Sequence, residues 1–349
     1  MRSLSPDFLD RLRLTTEDAA TLTSLGEYRG KQEIFRRQAP ELLASLKQAA
    51  IIESSESSNR LEGVTAPRDR IKALVLKSTT PQNRSEQEIA GYRDALNLIH
   101  ESAADMPFSM NVILQLHTML YRYLPQAGGH WKSTQNEIVE RNPDGTVRRI
   151  RFVPVTPVAT PQAMADLEGV SEQGVRDGRE PLIQLPLAVL DFLCIHPFTD
   201  GNGRIARLLT VLLLHRCEYD VARYISLERI FEESKESYYE TLEASSRGWH
   251  EGEHDVMPWM TYFWGVLLRA YGEFEERVGT LRTGRGSKAD LIESAVHRRI
   301  GPFAISDIER DCPGVSRDWV RIVLRRLRDE GKIVLRGRGR GAKWVKAEG

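Results

Sequence analysis

The segment His196–Arg207 joins two strongly apolar stretches and restricts how the chain can pass between them. Pro197 lacks an amide hydrogen and restricts the residue before it, so the apolar helix predicted over residues 186–196 ends there. Two glycines flank Asn202, and glycine permits tight turns and a close approach of the backbone to a ligand. A second helix is predicted directly after this loop. The segment therefore indicates a buried helix, a glycine loop and a helix N-terminus in succession.

This succession carries side chains suited to phosphate chemistry. Free amides and the helix dipole favour an anion at the start of the second helix. Arg204 and Arg207 are three residues apart, so both project from one side of its first turns and suit phosphate oxygens. Asp200 adds a carboxylate of the kind that holds Mg²⁺ beside a triphosphate, and His196 can act as a general base near neutral pH. Together they predict transfer of a phosphorus-centred group to a hydroxyl.

The same twelve residues resemble the Fic-family motif His-Pro-Phe-x-Asp/Glu-Gly-Asn-Gly-Arg-x-x-Arg at every fixed position. The resemblance implies a protein adenylyltransferase, which moves AMP from Mg-ATP onto a Ser, Thr or Tyr hydroxyl. It implies that His196 deprotonates the hydroxyl, Asp200 holds Mg²⁺ and Arg207 holds the γ-phosphate. The remaining residues expected at the nucleotide are Gly201, Asn202, Gly203, Arg204, Ile205 and Ala206.

The upstream segment Ser57–Gly63 resembles the inhibitory pattern Ser/Thr-x-x-x-Glu-Gly/Asn of Fic proteins, with Ser58, Glu62 and Gly63 at the matching positions. Without the resemblance, it reads as a helix with a serine start and a glycine C-cap. With it, Glu62 is expected to pair with Arg207 and to remove the cation that the γ-phosphate needs. The same glutamate could instead position water for removal of AMP from a modified target, and the sequence leaves both directions open.

A β-hairpin is predicted over residues 135–155, with the turn-forming segment Asn142–Gly145 at its tip. The resemblance implies that this hairpin is a flap on which the target protein docks by strand addition. Immediately before it, residues 129–132 resemble the family's Gly-x-aromatic-Arg step. Lys132 replaces the arginine, which puts the contacts of an arginine fork in doubt.

Tyr238 and Tyr239 resemble the paired tyrosines that line the nucleoside pocket of Fic relatives. Two ordinary core aromatics on a helix are nearly as consistent with the pattern. Family members often carry Asn where this chain has Ser246. Adenine is therefore less firmly implied than phosphate, and transfer of UMP or GMP stays open.

The C-terminal segment is basic, although the 349-residue chain has no net charge: residues 285–349 contain 16 Lys and Arg against nine Asp and Glu. After a glycine-containing linker at Thr283–Gly286, three helices and a hairpin are predicted, the arrangement of a winged helix-turn-helix. Four arginines recur at helical spacing on the third helix: Arg317, Arg321, Arg325 and Arg328. Such residues contact DNA, but small winged helices also dimerise or dock proteins, so DNA, a homodimer and a protein partner remain open.

The predicted fold class is mainly α: a Fic-type helical core with a β-hairpin flap, followed by a winged helix-turn-helix. The predicted domains are an N-terminal helical region with the inhibitory helix at 1–105, the catalytic domain at 106–282 and the winged helix at 283–349. Three widely spaced cysteines give no disulfide framework. No apolar run reaches the roughly 20 residues of a membrane span, so we expect a cytoplasmic protein without a membrane partner.

Two functions compete at this point. The first is a self-inhibited protein adenylyltransferase that uses ATP and Mg²⁺. The second is a nucleotide-sensing, DNA-binding transcriptional regulator. The intact His196 favours the enzyme, because a sensor does not need a general base.

Overall fold

The computed structural model describes residues 3–38, 40–142, 144, 146–279, 288–297, 299, 301–312, 315–337 and 342–347. These residues are mainly helical, as predicted. The helices are α1 (Pro6–Leu9), α2 (Thr16–Gln38), α3 (Pro40–Leu61), α4 (Arg68–Val75), α5 (Arg84–Ser102), α6 (Met110–Leu120), α7 (Thr160–Arg176), α8 (Pro181–Ile195), α9 (Asn202–Arg216), α10 (Leu227–Glu233), α11 (Lys235–Ser246), α12 (Met257–Gly279), α13 (Lys288–His297), α14 (Ile305–Asp311) and α15 (Arg317–Asp329). The strands are β1 (Ile138–Arg141), β2 (Val147–Phe152), β3 (Ile333–Arg336) and β4 (Lys343–Lys346).

The chain divides into two compact units, one formed by Met1–Gln32 with Ala50–Ala270 and the other by Glu33–Ala49 with Tyr271–Gly349. The predicted domain boundaries after residues 105 and 282 stay predictions. In the first unit, α5 packs against α6 and α9, and α8 packs against α7 and α9. Helices of the predicted N-terminal region therefore share one interior with the helices that flank the glycine loop.

Helix α8 begins at Pro181, upstream of the predicted start at Pro186, which lies inside the helix. An interior proline leaves the carbonyl four residues earlier without its helical donor. Here that carbonyl, on Leu182, accepts a 2.7 Å hydrogen bond from the Trp264 indole. The indole of Trp259 donates to the Pro186 carbonyl at 2.8 Å. Two tryptophans of α12 thus stabilise the first turns of a helix that the local sequence pattern starts too late.

Strands β1 and β2 form the antiparallel hairpin that the sequence predicts, with shorter strands than expected. Glu140 lies opposite Arg149. The pairing register shifts between Ile138 and Val139 and again between Glu140 and Arg141. At the tip, the Thr146 amide donates to the Asp144 carboxylate at 2.9 Å. Pro143 and Gly145 of the predicted turn lie outside the described residues.

In the C-terminal part of the second unit, the described residues from Lys288 onward form three helices and then a two-stranded antiparallel sheet, which is the predicted order of elements. The backbones of Phe303 and Trp344 exchange hydrogen bonds of 2.9 and 2.8 Å, which joins the segment before α14 to β4. The core of this part is apolar and includes Ile292, Phe303, Ile308, Val320, Leu324, Leu327 and Trp344. The predicted linker at Thr283–Gly286 lies outside the described residues, and the winged-helix assignment stays a prediction.

Within the described ranges, no helix combines the length and the apolar character needed to cross a bilayer. Cys194, Cys217 and Cys312 are not joined in disulfides.

Candidate active site

His196 ends α8 in a left-handed backbone conformation, with φ 52° and ψ 60°. Its half-buried imidazole lines a cavity. The ring Nδ1 lies 3.2 Å from the Leu193 carbonyl oxygen, and because a carbonyl only accepts, Nδ1 carries the hydrogen and Nε2 keeps its lone pair. Burial lowers the pKa of His196 to about 4. The ring is therefore neutral at pH 7 and can accept a proton.

The glycine loop reaches α9 through Gly201, whose φ of 86° is a conformation that favours glycine. No side chain caps the first turn of α9. Asn202 closes the loop instead, because its carboxamide accepts from the Phe198 amide at 2.9 Å and donates to the Phe198 carbonyl at 2.7 Å. The loop thus leaves backbone donors at the helix N-terminus for an anion.

Three residues predicted at the nucleotide have side chains elsewhere. Ile205 and Ala206 are buried in the core, so only their backbone could reach a ligand at the loop. Arg204 is also buried, and its guanidinium pairs with Glu88 of α5 and lies 3.3 Å from Asp200. Arg204 does not line the cavity. The structure therefore contradicts the expectation that the Arg204 side chain contacts phosphate. The guanidinium lies beneath the loop, where the carboxylates of Glu88 and Asp200 already balance its charge.

Asp200 is an exposed residue whose carboxylate accepts hydrogen bonds from the protein. Its Oδ1 accepts from the Gly201 amide at 2.7 Å, and its Oδ2 accepts from the Tyr121 hydroxyl at 2.9 Å. Burial works against its charge, but Arg204, Tyr121 and the Gly201 amide hold the pKa of Asp200 below its usual range. The backbone carbonyl of Asp200 lies 3.1 Å from Nε2 of His117 on α6.

An ionised carboxylate that faces a cavity suits a hard divalent cation. Across the described part of the chain, no cluster of three or more His, Cys, Asp and Glu side chains could hold a metal ion. A cation at Asp200 would therefore depend on oxygens that a ligand brings with it. Mg²⁺ carried by nucleotide phosphates fits this donor set.

Glu62 directly follows Leu61, the last residue of α3. The expected helix start at the serines is wrong, because Ser57 and Ser58 lie inside this long helix. Gly63 has a φ of 79°. The Gly63 amide donates to the Arg60 carbonyl, and the Val64 amide donates to the Asn59 carbonyl, both at 2.9 Å. This is a Schellman ending, which fixes Glu62 at the C-cap and confirms the glycine at the position after it.

The Arg207 guanidinium is held by the end of α3. Its Nη2 donates to Glu62 Oε1 at 2.6 Å and to the Ser58 carbonyl at 2.9 Å, and its Nε donates to the Ser58 hydroxyl at 2.8 Å. Burial opposes its charge, but the neighbouring Glu62, Tyr238 and Tyr92 raise the pKa of Arg207. The predicted ion pair is present, and Ser58 contributes to it.

Glu62 also lies over the start of α9. A methyl group built on Gly203 would come within 2.3 Å of Glu62 Oε1. The carboxylate therefore sits where an anion is expected, at an uncapped helix N-terminus and beside a guanidinium.

The cavity has a volume of about 540 Å³ and is bounded by the loop, the hairpin, α11 and Glu62. The residues that line it are Glu62, Glu137, Ile138, Val139, Arg151, Phe152, Leu190, Leu193, Cys194, His196, Thr199, Asp200, Gly201, Asn202, Gly203, Arg207, Tyr238, Tyr239, Leu242, Glu243 and Ser246. It brings the predicted base, the predicted metal ligand and both tyrosines to one space.

The sequence leaves open whether Tyr238 and Tyr239 are core aromatics or residues of the nucleotide pocket, and their positions fit both. Tyr238 is buried, with its ring 5.1 Å from Phe231 and 5.9 Å from Trp259 between centroids, so it belongs to an aromatic core. It also lines the cavity. Tyr239 is half-buried and lies beside Glu62 at the cavity wall.

The hairpin is fastened to α11 and the segment after it. Arg149 donates two hydrogen bonds to Glu243, at 2.7 and 3.0 Å. Phe152 stacks on His250 with ring centroids 5.3 Å apart, and His250 Nε2 lies 2.8 Å from the Val153 carbonyl oxygen. These contacts hold β2 beside the cavity.

Glu88 and Tyr121 are supporting residues that the sequence reasoning missed. Each lies far upstream of its partner, and no local motif joins them to the loop. One signal was present for Glu88, because the helical pattern of α5 places it among residues that are buried, including Ile89 and Tyr92. A carboxylate on a buried helix face calls for a cationic partner.

The comparisons with known proteins agree with this arrangement. Residues 107–214 match the Fic/DOC family. The chain is 24% identical over 208 residues to Protein adenylyltransferase fic-1 of Caenorhabditis briggsae, covering 58% of this chain and 36% of that protein. It is 25% identical over 273 residues to Protein adenylyltransferase Fic of Drosophila grimshawi, covering 74% and 52% respectively. The matched part thus spans between about a third and a half of these curated relatives.

Solved structures share the fold. A Fic family protein from Desulfovibrio desulfuricans superposes with a TM-score of 0.61 at 20% identity, covering 97% of this chain and 98% of that one. A Fic domain containing signaling protein from Bacteroides thetaiotaomicron gives a TM-score of 0.61 at 24% identity, covering 74% and 97%. The chain therefore has a Fic-type fold, and its match to the Fic/DOC family covers residues 107–214.

Proposed function

We propose that this chain is a self-inhibited protein adenylyltransferase that transfers AMP from Mg-ATP to a Ser, Thr or Tyr hydroxyl of a target protein. The observation that carries the proposal is the position of Glu62. Its carboxylate lies on Arg207 and over Gly203, at a helix N-terminus that shares a cavity with a neutral His196. The names of the adenylyltransferase relatives support the same reaction.

In the proposed reaction, His196 Nε2 takes the proton of the target hydroxyl as its oxygen bonds to the α-phosphorus. The bond from that phosphorus to the bridging oxygen breaks, and pyrophosphate leaves with the electron pair. The backbone donors at the start of α9 stabilise the phosphate charge. Asp200 would hold Mg²⁺, which supplies further charge neutralisation when bound.

The proposed inhibition follows from competition for one cation. A γ-phosphate at the start of α9 needs Arg207, whose Nη2 already donates to Glu62. Two anions cannot share this site without strong repulsion, so ATP in the inhibited chain is displaced from the productive pose. Removal of the Glu62 carboxylate therefore frees both the cation and the space above Gly203.

The hairpin is the proposed docking site for the target. Val147 and Ile150 are about half exposed, at 51% and 50%, although both are apolar residues of β2. A target strand that adds to this hairpin would bring its hydroxyl to the cavity wall formed by Arg151 and Phe152.

The proposal is tested by incubating Glu62→Gly with α-labelled ATP and Mg²⁺, alone and with a cell lysate. We expect label on the protein itself or on a lysate protein, and none with the control Glu62→Gly/His196→Ala. Absence of label in every sample would reject the transferase. The complementary test for removal of AMP adds unmodified chain to a purified labelled target, where release of AMP would show that Glu62 also serves the reverse direction.

The competing proposal is a nucleotide-sensing, DNA-binding regulator. Exposed arginines on α15 support it, because such a helix can enter a groove of DNA. Neighbouring carboxylates weigh against it, since three of the four arginines predicted to contact DNA are paired. These pairs are Arg317 with Glu309, Arg321 with Asp318 and Arg328 with Asp329.

A further inference from the structure

Lys132 lies beneath the turn that contains His196. Its Nζ donates to the Ile195 carbonyl at 3.1 Å, and its backbone amide donates to the Pro197 carbonyl at 2.8 Å. The first of these carbonyls belongs to the last turn of α8, where no helical amide remains to satisfy it. A single residue therefore holds the backbone on both sides of His196.

Asn136 holds the other two carbonyls of the turn. Its Nδ2 donates to the Phe198 carbonyl at 2.9 Å and lies 3.5 Å from the His196 carbonyl. Its Oδ1 accepts from Lys132 Nζ at 2.8 Å. The two side chains are thus joined, and together with the Lys132 backbone amide they meet four consecutive carbonyls, those of residues 195–198.

The backbone of His196 requires such support. Its φ of 52° is unfavourable for a residue with a Cβ and persists only where the surroundings hold it. The direction of the imidazole depends on this conformation, because the turn sends the side chain towards the cavity rather than along α8.

The environment of Lys132 points to a dedicated role. The residue is only 3% exposed, and burial lowers its pKa to about 8. Within the described residues, its side-chain hydrogen-bond partners are the Asn136 amide oxygen and a backbone carbonyl, not a carboxylate. A buried amine without a carboxylate is costly. Packing alone would be served better by an apolar side chain of similar length.

We propose that Lys132 and Asn136 are positioning residues that set the backbone of His196, and with it the place of the general base. The inference rests on the proposed function for its catalytic consequence. Lys132 stands where the family pattern has arginine, and the proposal gives this lysine a specific purpose. Its compact ammonium fits between one carbonyl and one amide oxygen, a site that does not need the planar guanidinium of arginine.

The test uses the full-length chain with Glu62→Gly as the parent, so that transfer is measurable. Lys132→Met removes the donor at nearly constant length, and Lys72→Met makes the same change at an exposed lysine of α4 as the matched control. Lys132→Arg restores donors and charge. Asn136→Ala removes the second half of the support and serves as the independent variant where Lys132→Met does not fold.

We expect Lys132→Met to lower kcat by about 10- to 100-fold, the range for a displaced catalytic group, while the Kd for Mg-ATP changes less than about threefold. Lys132→Arg should recover most of the loss. The double variant Lys132→Met/Asn136→Ala should lower kcat by less than the product of the two separate fold-changes, because both side chains belong to one hydrogen-bond network. Lys72→Met should match the parent.

A second readout does not depend on activity. The chain has eight histidines, and with ¹³C-labelled imidazoles the His196 resonance can be identified by its loss in His196→Ala. We expect this resonance to shift or split in Lys132→Met and in Asn136→Ala, and to stay in place in Lys72→Met. An inactive parent would reject the proposed function, yet the resonance would still decide the positioning role. An unmoved resonance with unchanged kcat, or with a loss confined to ATP affinity, would overturn the inference.

Discussion

Glu62 Oε1 accepts a 2.6 Å hydrogen bond from Arg207 Nη2, in a pair whose arginine side chain is 2% exposed and whose glutamate is 31% exposed. Removing one partner of such a pair leaves the other charge poorly solvated. An anion that replaces the carboxylate avoids this cost, and a γ-phosphate is such an anion. Under the proposed inhibition, we therefore expect release of Glu62 to be coupled to binding of a triphosphate in the productive position.

Ser58 supplies the test of this arrangement that leaves both charges in place. Ser58→Ala removes the hydroxyl that accepts from Arg207 Nε, and a lost hydrogen bond to a charged group costs about 1.5–3 kcal/mol in the inhibited arrangement. We expect adenylylation several-fold above the unmodified chain and below Glu62→Gly. The measurement is the initial rate of label transfer, with Ser57→Ala as the neighbouring control. Equal rates for Ser58→Ala and the unmodified chain would show that the hydroxyl does not hold Arg207 in place.

The pH dependence of transfer tests His196. Because burial lowers its pKa to about 4, the imidazole stays neutral and able to accept a proton from pH 8 down to about pH 5. We expect kcat of Glu62→Gly to be flat between pH 6 and 8 and to fall only below about pH 5. A half-maximal rate near the ordinary histidine value of about 6.5 would contradict this environment.

Stability must be followed in the same samples. A histidine whose folded pKa lies below its unfolded value stabilises the fold above pH 6.5, and this contribution is lost as the pH falls towards 4. His117, whose pKa burial also lowers to about 4, acts in the same direction. Circular dichroism at each pH separates a protonated base from an unfolded chain.

The buried pair of Arg204 and Glu88 is predicted to stabilise the loop from below. Glu88→Gln leaves the buried guanidinium with too little negative charge, so we expect the free energy of unfolding to fall by about 3 kcal/mol. The exposed pair of Arg176 and Glu172 provides the control, and Glu172→Gln should change it by less than about 1 kcal/mol. Urea denaturation measures both. Equal effects would mean that the Arg204 pair contributes no more than a surface contact.

Helix α15 gives a prediction for DNA. Arg325 is exposed and has no ion pair among the described residues, whereas Arg321 lies 3.0 Å from Asp318. We expect the full-length chain to shift a duplex weakly at low salt, and Arg321→Glu/Arg325→Glu to abolish the shift. Lys72→Glu is the charge-matched control on another helix. No shift at 50 mM salt would leave protein docking or dimerisation as the use of this unit.

The sequence predicts the loop well because its determinants are local. Pro197 ends α8, glycines shape the turn and α9 starts at once, so few distant contacts are needed to place these residues. The partners of buried charges are different. Glu88 lies 116 positions from Arg204, and no pattern within either helix identifies the pair.

Two further differences have the same cause. Pro186 remains inside α8 because the Trp264 indole, 82 positions from Leu182, donates to the carbonyl that the proline leaves without a helical donor. Lys132 stands out in the sequence only as a departure from the family pattern, and its contacts with Ile195 and Pro197 form when the segment before the hairpin folds beside α8. Tertiary hydrogen bonds therefore decide what local propensity cannot.

A crystal structure of Glu62→Gly with Mg²⁺ and a non-hydrolysable ATP analogue examines the competition between Glu62 and phosphate directly. We expect the γ-phosphate at the start of α9, within hydrogen-bond distance of Arg207, and His196 Nε2 facing the open side of the α-phosphorus. A triphosphate bound away from α9, or an Arg207 that makes no phosphate contact, would contradict the assignment of this cavity to adenylyl transfer.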